Sequence, residues 1–141
     1  MILPPESTMA RTIRNRMVRA IVDSGGRIMA GSDGPGGLQG YGWMLHRELA
    51  ALVAAGLSPY EALAAATTVP AEYLGTTADA GTIAVGKRAD LVLLGASPLD
   101  DIAHTSRIEG VVVDGTWLDR GRLDQLLVEA GTRLNPEGFR P

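Results

Sequence analysis

Residues 27–42, RIMAGSDGPGGLQGYG, decide the fold class, because they join a short apolar run to a glycine-rich stretch with one carboxylate, Asp33, between them. The run at 27–32 predicts a buried parallel strand, since strands covered on both faces are apolar almost throughout. The glycines of 34–42 predict a loop. A strand that ends in a carboxylate and a loop is the arrangement in which α/β folds place catalytic and metal-binding groups.

Helical periodicity flanks this stretch on both sides. Four helices are expected in this half of the chain, over 7–23, 43–55, 58–67 and 70–74. The first is amphipathic and ends at Gly25-Gly26. The third begins with Ser58-Pro59-Tyr60-Glu61, which supplies a capping serine, a proline suited to the first helical position and the glutamate of a capping box.

Beyond Gly75 the hydrophobic pattern no longer has a helical period. Short apolar runs predict strands over 81–83, 89–94, 108–113 and 116–118. Asp114-Gly115 predicts a hairpin turn between the last two strands, and a final helix is expected at 121–130. We therefore expect an α/β chain with a helical segment at 1–75, a β-rich segment at 76–120, and a C-terminal helix and tail at 121–141.

The composition is that of a globular domain, with 141 residues, 45% of them hydrophobic and 21% charged. The net charge of −3 argues against nucleic acid or an anionic membrane as a partner. No apolar run approaches the ~18 residues that would span a membrane, and the opening MILPP lacks the basic start of a secretory signal, which favours the cytoplasm. Cysteine is absent and histidine occurs twice, so thiolate sites are excluded and imidazole ligands are few.

Asp33 is the best single candidate for chemistry. Its carboxylate can hold a metal and accept a proton from bound water, although an aspartate in this position can also simply hydrogen-bond the turn. His46 comes after the glycine-rich stretch and either flanks the Asp33 site or is a structural histidine. His104 is expected in a solvated turn, and no metal-ligand spacing links the two histidines.

A longer succession of motifs resembles one enzyme family. Gly31-Ser32-Asp33, LHREL at 45–49 and LVAAGLSP at 52–59 resemble the last barrel strand and helix of the metal-dependent amidohydrolases, above all the imidazolonepropionase-like and prolidase-like members. Further motifs follow in the family's order, namely EALAAAT at 61–67, GTI at 81–83, GKRADLVLL at 86–94 and PLDDI at 98–102. The resemblance runs without interruption over roughly residues 27–120.

The resemblance implies a (β/α)8 barrel with a small β-sandwich. This chain would be the C-terminal piece, with the last barrel strand and helices followed by part of the sandwich over 81–118. Members hydrolyse amide or related C–N bonds of small-molecule substrates, and sometimes esters or lactones, with one or two divalent metals, often zinc. Carried over, Asp33 is a metal ligand and the general base toward the attacking water, and His46 is a supporting residue beside the site.

The chain departs from the family pattern in one large respect. The family's His-x-His pair, its lysine and its two later histidines have no counterpart here, and one carboxylate does not hold a metal tightly. We therefore expect a fragment, a truncated gene product or one piece of a split enzyme. A lone barrel strand leaves edges and apolar faces uncovered, so a homo-oligomer or a complementary chain is expected to cover them.

Three functions are open at this stage. The first is an amidohydrolase whose complete site needs residues outside this chain. The second is a catalytically silent truncated domain that acts as an oligomeric or ligand-binding module, since fold alone does not establish activity. The third is a small hydrolase with a new local site built from Asp33, His46 and Glu48.

Overall fold

The computed structural model describes residues 8–32 and 43–134, in which four α-helices precede a small sheet and a fifth follows it. The helices are α1 (Thr8–Asp23), α2 (Trp43–Ala54), α3 (Pro59–Ala66), α4 (Thr68–Tyr73) and α5 (Arg120–Leu134), with a 3-10 helix at Ile102–Ser106. The strands β1 (Leu91–Leu94), β2 (Ile108–Val113) and β3 (Thr116–Asp119) form an antiparallel sheet in the order β1-β2-β3. The α/β class is confirmed, and these residues form no barrel. None of the helices in them is long and apolar enough to cross a membrane.

The capping box predicted for the third helix is confirmed at the start of α3. The Ser58 hydroxyl accepts the N–H of Glu61 at 3.2 Å, and the Glu61 carboxylate accepts the backbone N–H of Ser58 at 2.7 Å. These bonds satisfy backbone donors that a helix start leaves without intrahelical partners. The Ser58 N–H, and after it the Ser58 hydroxyl, which donates to the same carboxylate at 2.8 Å, hold the Glu61 pKa below its usual range.

The predicted hairpin turn between β2 and β3 is also confirmed. Asp114 and Gly115 have φ angles of +48° and +77°, and Val113 pairs with Thr116 across them. A two-residue turn with positive φ at both positions matches the twist of the flanking strands, which is why Asp-Gly is favoured there.

Two predicted strands are not formed, because neither has a strand to pair with in the described residues. Residues 27–32 alternate between exposed and half-buried side chains, as an extended backbone does, but they belong to no sheet, and Ala30 N–H instead donates to the carbonyl of Ala65 in α3 at 2.9 Å. Residues 81–83 lie in a loop that Lys87 closes. Its ammonium donates to the carbonyl of Thr77 at 2.7 Å and to the hydroxyl of Thr82 at 2.6 Å.

The hydrophobic core takes residues from both halves of the chain. Its buried members are Leu49, Leu52, Leu57, Ala62, Ala65 and Ile102. Ile102 belongs to the 3-10 helix of the β-rich segment and is only 7% exposed. One hydrophobic core therefore joins the helical segment and the β-rich segment. The division of the chain into these segments near residue 75 stays a prediction.

α1 has no buried residue and lies on the surface of this core. Val18 and Val22 pack against the core from one side of the helix. Asn15 Nδ2 donates to the Ala54 carbonyl at 3.2 Å and Arg19 Nη1 to the Gly56 carbonyl at 2.8 Å, at the C-terminal end of α2. These bonds satisfy carbonyl groups at and just beyond a helix end, where intrahelical donors run out.

Candidate functional site

The extended segment that precedes Asp33 is anchored to the helical core. Ile28 and Ala30 pack against the buried cluster, and the bond from Ala30 N–H to the Ala65 carbonyl fixes the segment along α3. Since alternate residues of an extended segment point to opposite sides, the side chains at 28 and 30 share the covered side. Met29 on the other side is 44% exposed. The core thus supports one side of the segment only.

A salt bridge ties the start of this segment to α4. The Arg27 guanidinium donates to the Glu72 carboxylate, and this hydrogen bond lowers the pKa of Glu72 and raises that of Arg27. The side chains are 54% and 44% exposed, so water screens the attraction and the pair contributes little to stability. Its effect is to fix where the segment begins.

Asp33, the predicted metal ligand and general base, lies outside the described residues. The last described residue before it is Ser32, which is half-buried. The structure thus fixes the path of the chain up to the residue before the carboxylate. The role of Asp33 stays a prediction.

His46 lies in α2 and reaches across to the 3-10 helix. Its Nδ1 is 3.1 Å from the hydroxyl of Thr105, a residue that is only 6% exposed. The ring also meets the edge of the Trp43 indole, with ring centroids 5.9 Å apart and an interplanar angle of 66°. His46 therefore has a structural contact, as one of the two sequence interpretations expected. Its supporting role beside the Asp33 site stays a prediction.

His104 is also held by a hydrogen bond. It lies within the 3-10 helix, is half-buried, and its Nδ1 is 2.8 Å from the carbonyl oxygen of Ser97. A carbonyl only accepts, so Nδ1 carries the proton in this contact. His104 was expected in a solvated turn; it lies in a 3-10 helix and stays partly exposed, while a local main-chain acceptor holds its ring.

The described residues do not fit a metal site on their own. No group of three or more His, Cys, Asp or Glu side chains comes together within 8–32 and 43–134. Both histidines use Nδ1 for contacts with Thr105 and Ser97. A divalent metal of the zinc type generally needs at least three protein ligands. A donor set for such a metal therefore cannot be drawn from this part of the chain.

Sequence reasoning missed the contacts that join distant segments. His46 and Thr105 are 59 positions apart, and Arg27 and Glu72 are 45 apart. No local periodicity marks such pairs, since each partner alone is compatible with a solvated surface. Only the packing of the 3-10 helix on α2, and of residues 27–32 on α3 and α4, brings them together.

Comparison with known proteins identifies the family. The family model described as "Amidohydrolase family" matches residues 4–118. The chain belongs to the amidohydrolase family. It is 38% identical over 88 residues to an imidazolonepropionase of Deinococcus deserti, covering 62% of this chain and 22% of that protein. It is 40% identical over 106 residues to an imidazolonepropionase of Symbiobacterium thermophilum, covering 74% of this chain and 24% of that protein.

Solved structures of amidohydrolases share this fold. A Xaa-Pro dipeptidase with methionine bound in its active site superposes with a TM-score of 0.66 at 28% identity, over 74% of this chain and 25% of that one. Molinate hydrolase superposes with a TM-score of 0.65 at 26% identity, over 81% and 27%. A prolidase complexed with N-methylphosphonate-L-proline gives 0.61 at 32% identity, over 83% and 30%. The chain spans about a quarter of the length of the family members that it matches.

Proposed function

We propose that this chain supplies the last barrel segment and part of the β-sandwich of a metal-dependent amidohydrolase. The complete enzyme hydrolyses amide or related C–N bonds of a small molecule, with esters and lactones as further substrates. The observation that carries the proposal is the continuous family match over residues 4–118. Imidazolonepropionases and prolidases among the relatives favour C–N hydrolysis as the reaction class.

Within this enzyme, Asp33 is the residue of the chain that we propose for chemistry. It serves as a ligand of the family's divalent metal, zinc by resemblance, and as the base that takes a proton from the attacking water. The anchoring of residues 27–32 by Ala30 and Arg27 supports this role, because a ligand must be held in place by a supported backbone. The other ligands come from residues outside this chain.

An exposed apolar stripe on α1 also supports the presence of a partner protein. Along α1, large apolar side chains repeat every four residues and stay exposed, at 74% for Met9, 50% for Ile13, 61% for Met17 and 45% for Ile21. Most of the stripe faces away from Val18 and Val22, which pack against the core, and Ile21, three residues from Val18, borders that covered side. We propose that the remaining part of an amidohydrolase barrel, on a complementary chain or segment, covers this stripe. Homo-oligomerisation is the competing outcome.

Metal content per chain tests the role of Asp33. The full chain, Asp33→Asn and the control Asp124→Asn, an exposed position in α5, are dialysed and measured by elemental mass spectrometry. Metal close to one equivalent in the wild type and the control, held together with an associated copy or a co-purifying complementary chain that brings the other ligands, and its loss in Asp33→Asn, supports the proposal. Metal that persists in Asp33→Asn contradicts Asp33 as a ligand.

Sedimentation at micromolar concentration tests the need for a partner. A self-associated species favours the second copy, and a heterologous complex favours the complementary chain. A monodisperse monomer contradicts the proposed covering of α1. If all samples also lack metal, the alternative function is favoured, namely a catalytically silent ligand-binding module. The observation behind that alternative is that the described residues assemble no metal-binding group.

A further inference from the structure

Trp43 and His46 form an aromatic pair at the start of α2. Residues three apart are neighbours on a helix surface, which explains the edge contact between their rings at 5.9 Å. Trp43 is 58% exposed, whereas Leu49 and Leu52 further along the same helix are buried. Trp43 therefore contributes little to the core, and its indole presents apolar area to solvent.

Thr105 determines which nitrogen of His46 carries the proton. A hydroxyl has one hydrogen, and Thr105 donates it to the Ile102 carbonyl at 2.8 Å. The Thr105 oxygen can therefore only accept from His46, so Nδ1 is the protonated nitrogen. In the neutral ring the lone pair then lies on Nε2, at the edge of the imidazole turned away from Thr105. The buried Thr105 thus fixes His46 as a hydrogen-bond acceptor.

We propose that Trp43 and His46 bind the planar part of an amide ligand that carries an N–H group. The indole covers the planar group, and Nε2 of His46 accepts the amide N–H. The inference rests on the proposed function, because it names the kind of amide that the site takes. It assigns His46 a specificity role in binding, and it needs neither a metal nor turnover.

Titration of the 15N-labelled full chain with two small probes tests the pair. Benzamide has an amide N–H, whereas N,N-dimethylbenzamide has the same planar ring and carbonyl without it. The chain has two tryptophans, so binding is followed on the indole N–H signals, with Trp43 assigned by Trp43→Phe. The titration is made at about pH 8. We expect saturable shifts of the Trp43 signal and a dissociation constant roughly two- to tenfold lower for benzamide.

Variants separate the two contributions. Trp43→Ala should weaken both probes alike, because it removes the apolar contact. Thr105→Val removes the acceptor for Nδ1, so the ring can protonate Nε2 instead and the preference for benzamide should disappear. Thr105→Ser keeps the hydroxyl and should keep the preference. Long-range 1H–15N correlation spectra read the tautomer of His46 directly in each variant, independently of binding.

The outcomes decide the proposal. Equal affinity for the two probes, shifts confined to Trp117, or a wild-type His46 protonated on Nε2 would each overturn it. Preference for benzamide that is lost in Thr105→Val and retained in Thr105→Ser supports it. These measurements are made without metal, so a negative result contradicts this inference alone. Metal that persists in Asp33→Asn contradicts the proposed function instead.

Discussion

Gly110→Ala should destabilise the sheet through a single side chain. Gly110 lies buried in β2, and a methyl group built there would come within 2.0 Å of Cη2, 2.5 Å of Cζ2 and 2.7 Å of Cζ3 of Trp117. Carbon atoms in contact stay about 3.5–4.0 Å apart. The indole must therefore leave its place over β2 when residue 110 gains a side chain.

The size of the effect follows from how much of Trp117 is covered. Trp117 is 52% exposed, so about half of its surface is covered in the fold. Displacing the indole exposes this covered area, on the order of 100 Å² for an aromatic residue. At ~25 cal/mol per Å² this costs about 2.5 kcal/mol. Alanine restores about 0.5–1 kcal/mol of backbone entropy relative to glycine in a strand. We expect a net loss of about 1.5–2 kcal/mol in the free energy of unfolding.

Urea denaturation in a double-mutant cycle measures this loss. Gly110→Ala is compared in the wild type and in Trp117→Val, where the smaller side chain leaves room for the methyl group. In the valine background the substitution should be neutral or slightly stabilising. Gly121→Ala in the first turn of α5 is the control, because its methyl group would meet Asp119 Oδ1 at an ordinary 3.5 Å. An equal loss in both backgrounds would refute the steric explanation.

Three further perturbations test local contacts of the helical half and the Lys87 loop. Ser58→Ala removes the acceptor for the Glu61 N–H and should lower the free energy of unfolding by about 1 kcal/mol in urea, whereas Ser58→Thr keeps the acceptor. The ionised Glu61 carboxylate also stabilises the fold, because the folded chain lowers the Glu61 pKa. This stabilisation is complete above the unfolded pKa of about 4.3, and it is lost as the pH falls through the lower pKa of the folded chain. The difference in melting temperature between the wild type and Glu61→Gln should therefore narrow below about pH 4; a constant difference would contradict this. Lys87→Met deprives the Thr77 carbonyl and the Thr82 hydroxyl of their donor and should cost about 2 kcal/mol, and Lys87→Arg should restore little because a planar guanidinium cannot reproduce these bonds. An unchanged urea midpoint for Lys87→Met would show that the ammonium does not hold the loop.

Elements with local sequence signals were predictable. The capping box at Ser58, the Asp114-Gly115 turn and the helix ends near Gly56 and Gly75 depend on residues close together in the chain, and the structure confirms them. The strands expected at 27–32 and 81–83 were wrong, because a strand also needs a distant partner that no local pattern reveals. The burial on both faces expected for 27–32 is not formed in the described residues either, since Ile28 and Ala30 are only partly buried and Met29 is exposed.

In the candidate site, only the residues that belong to family motifs could be predicted from the sequence. Asp33 stands in the Gly-Ser-Asp motif, and the family match supports that assignment without testing its role. The fixed tautomer of His46 depends on Thr105 and on its bond to Ile102, far along the chain. Such a property needs coordinates, since a threonine within a short helical turn carries no sequence mark of a contact with α2.

Two uncovered surfaces of the described residues, the exposed stripe of α1 and the exposed side of residues 27–32, come close to each other at Ile21 and Gly26. Ile21 ends the exposed stripe of α1, and its side chain lies so close to Gly26 that a methyl group there would come within 2.6 Å of Ile21 Cγ2. The extended segment starts directly after Gly26 and carries Met29 on its exposed side. A partner that covers the exposed side of residues 27–32 can therefore also reach the Ile21 end of the stripe. Under the proposed function, this partner surface is also the source of the further ligands for Asp33, which follows the segment in the sequence.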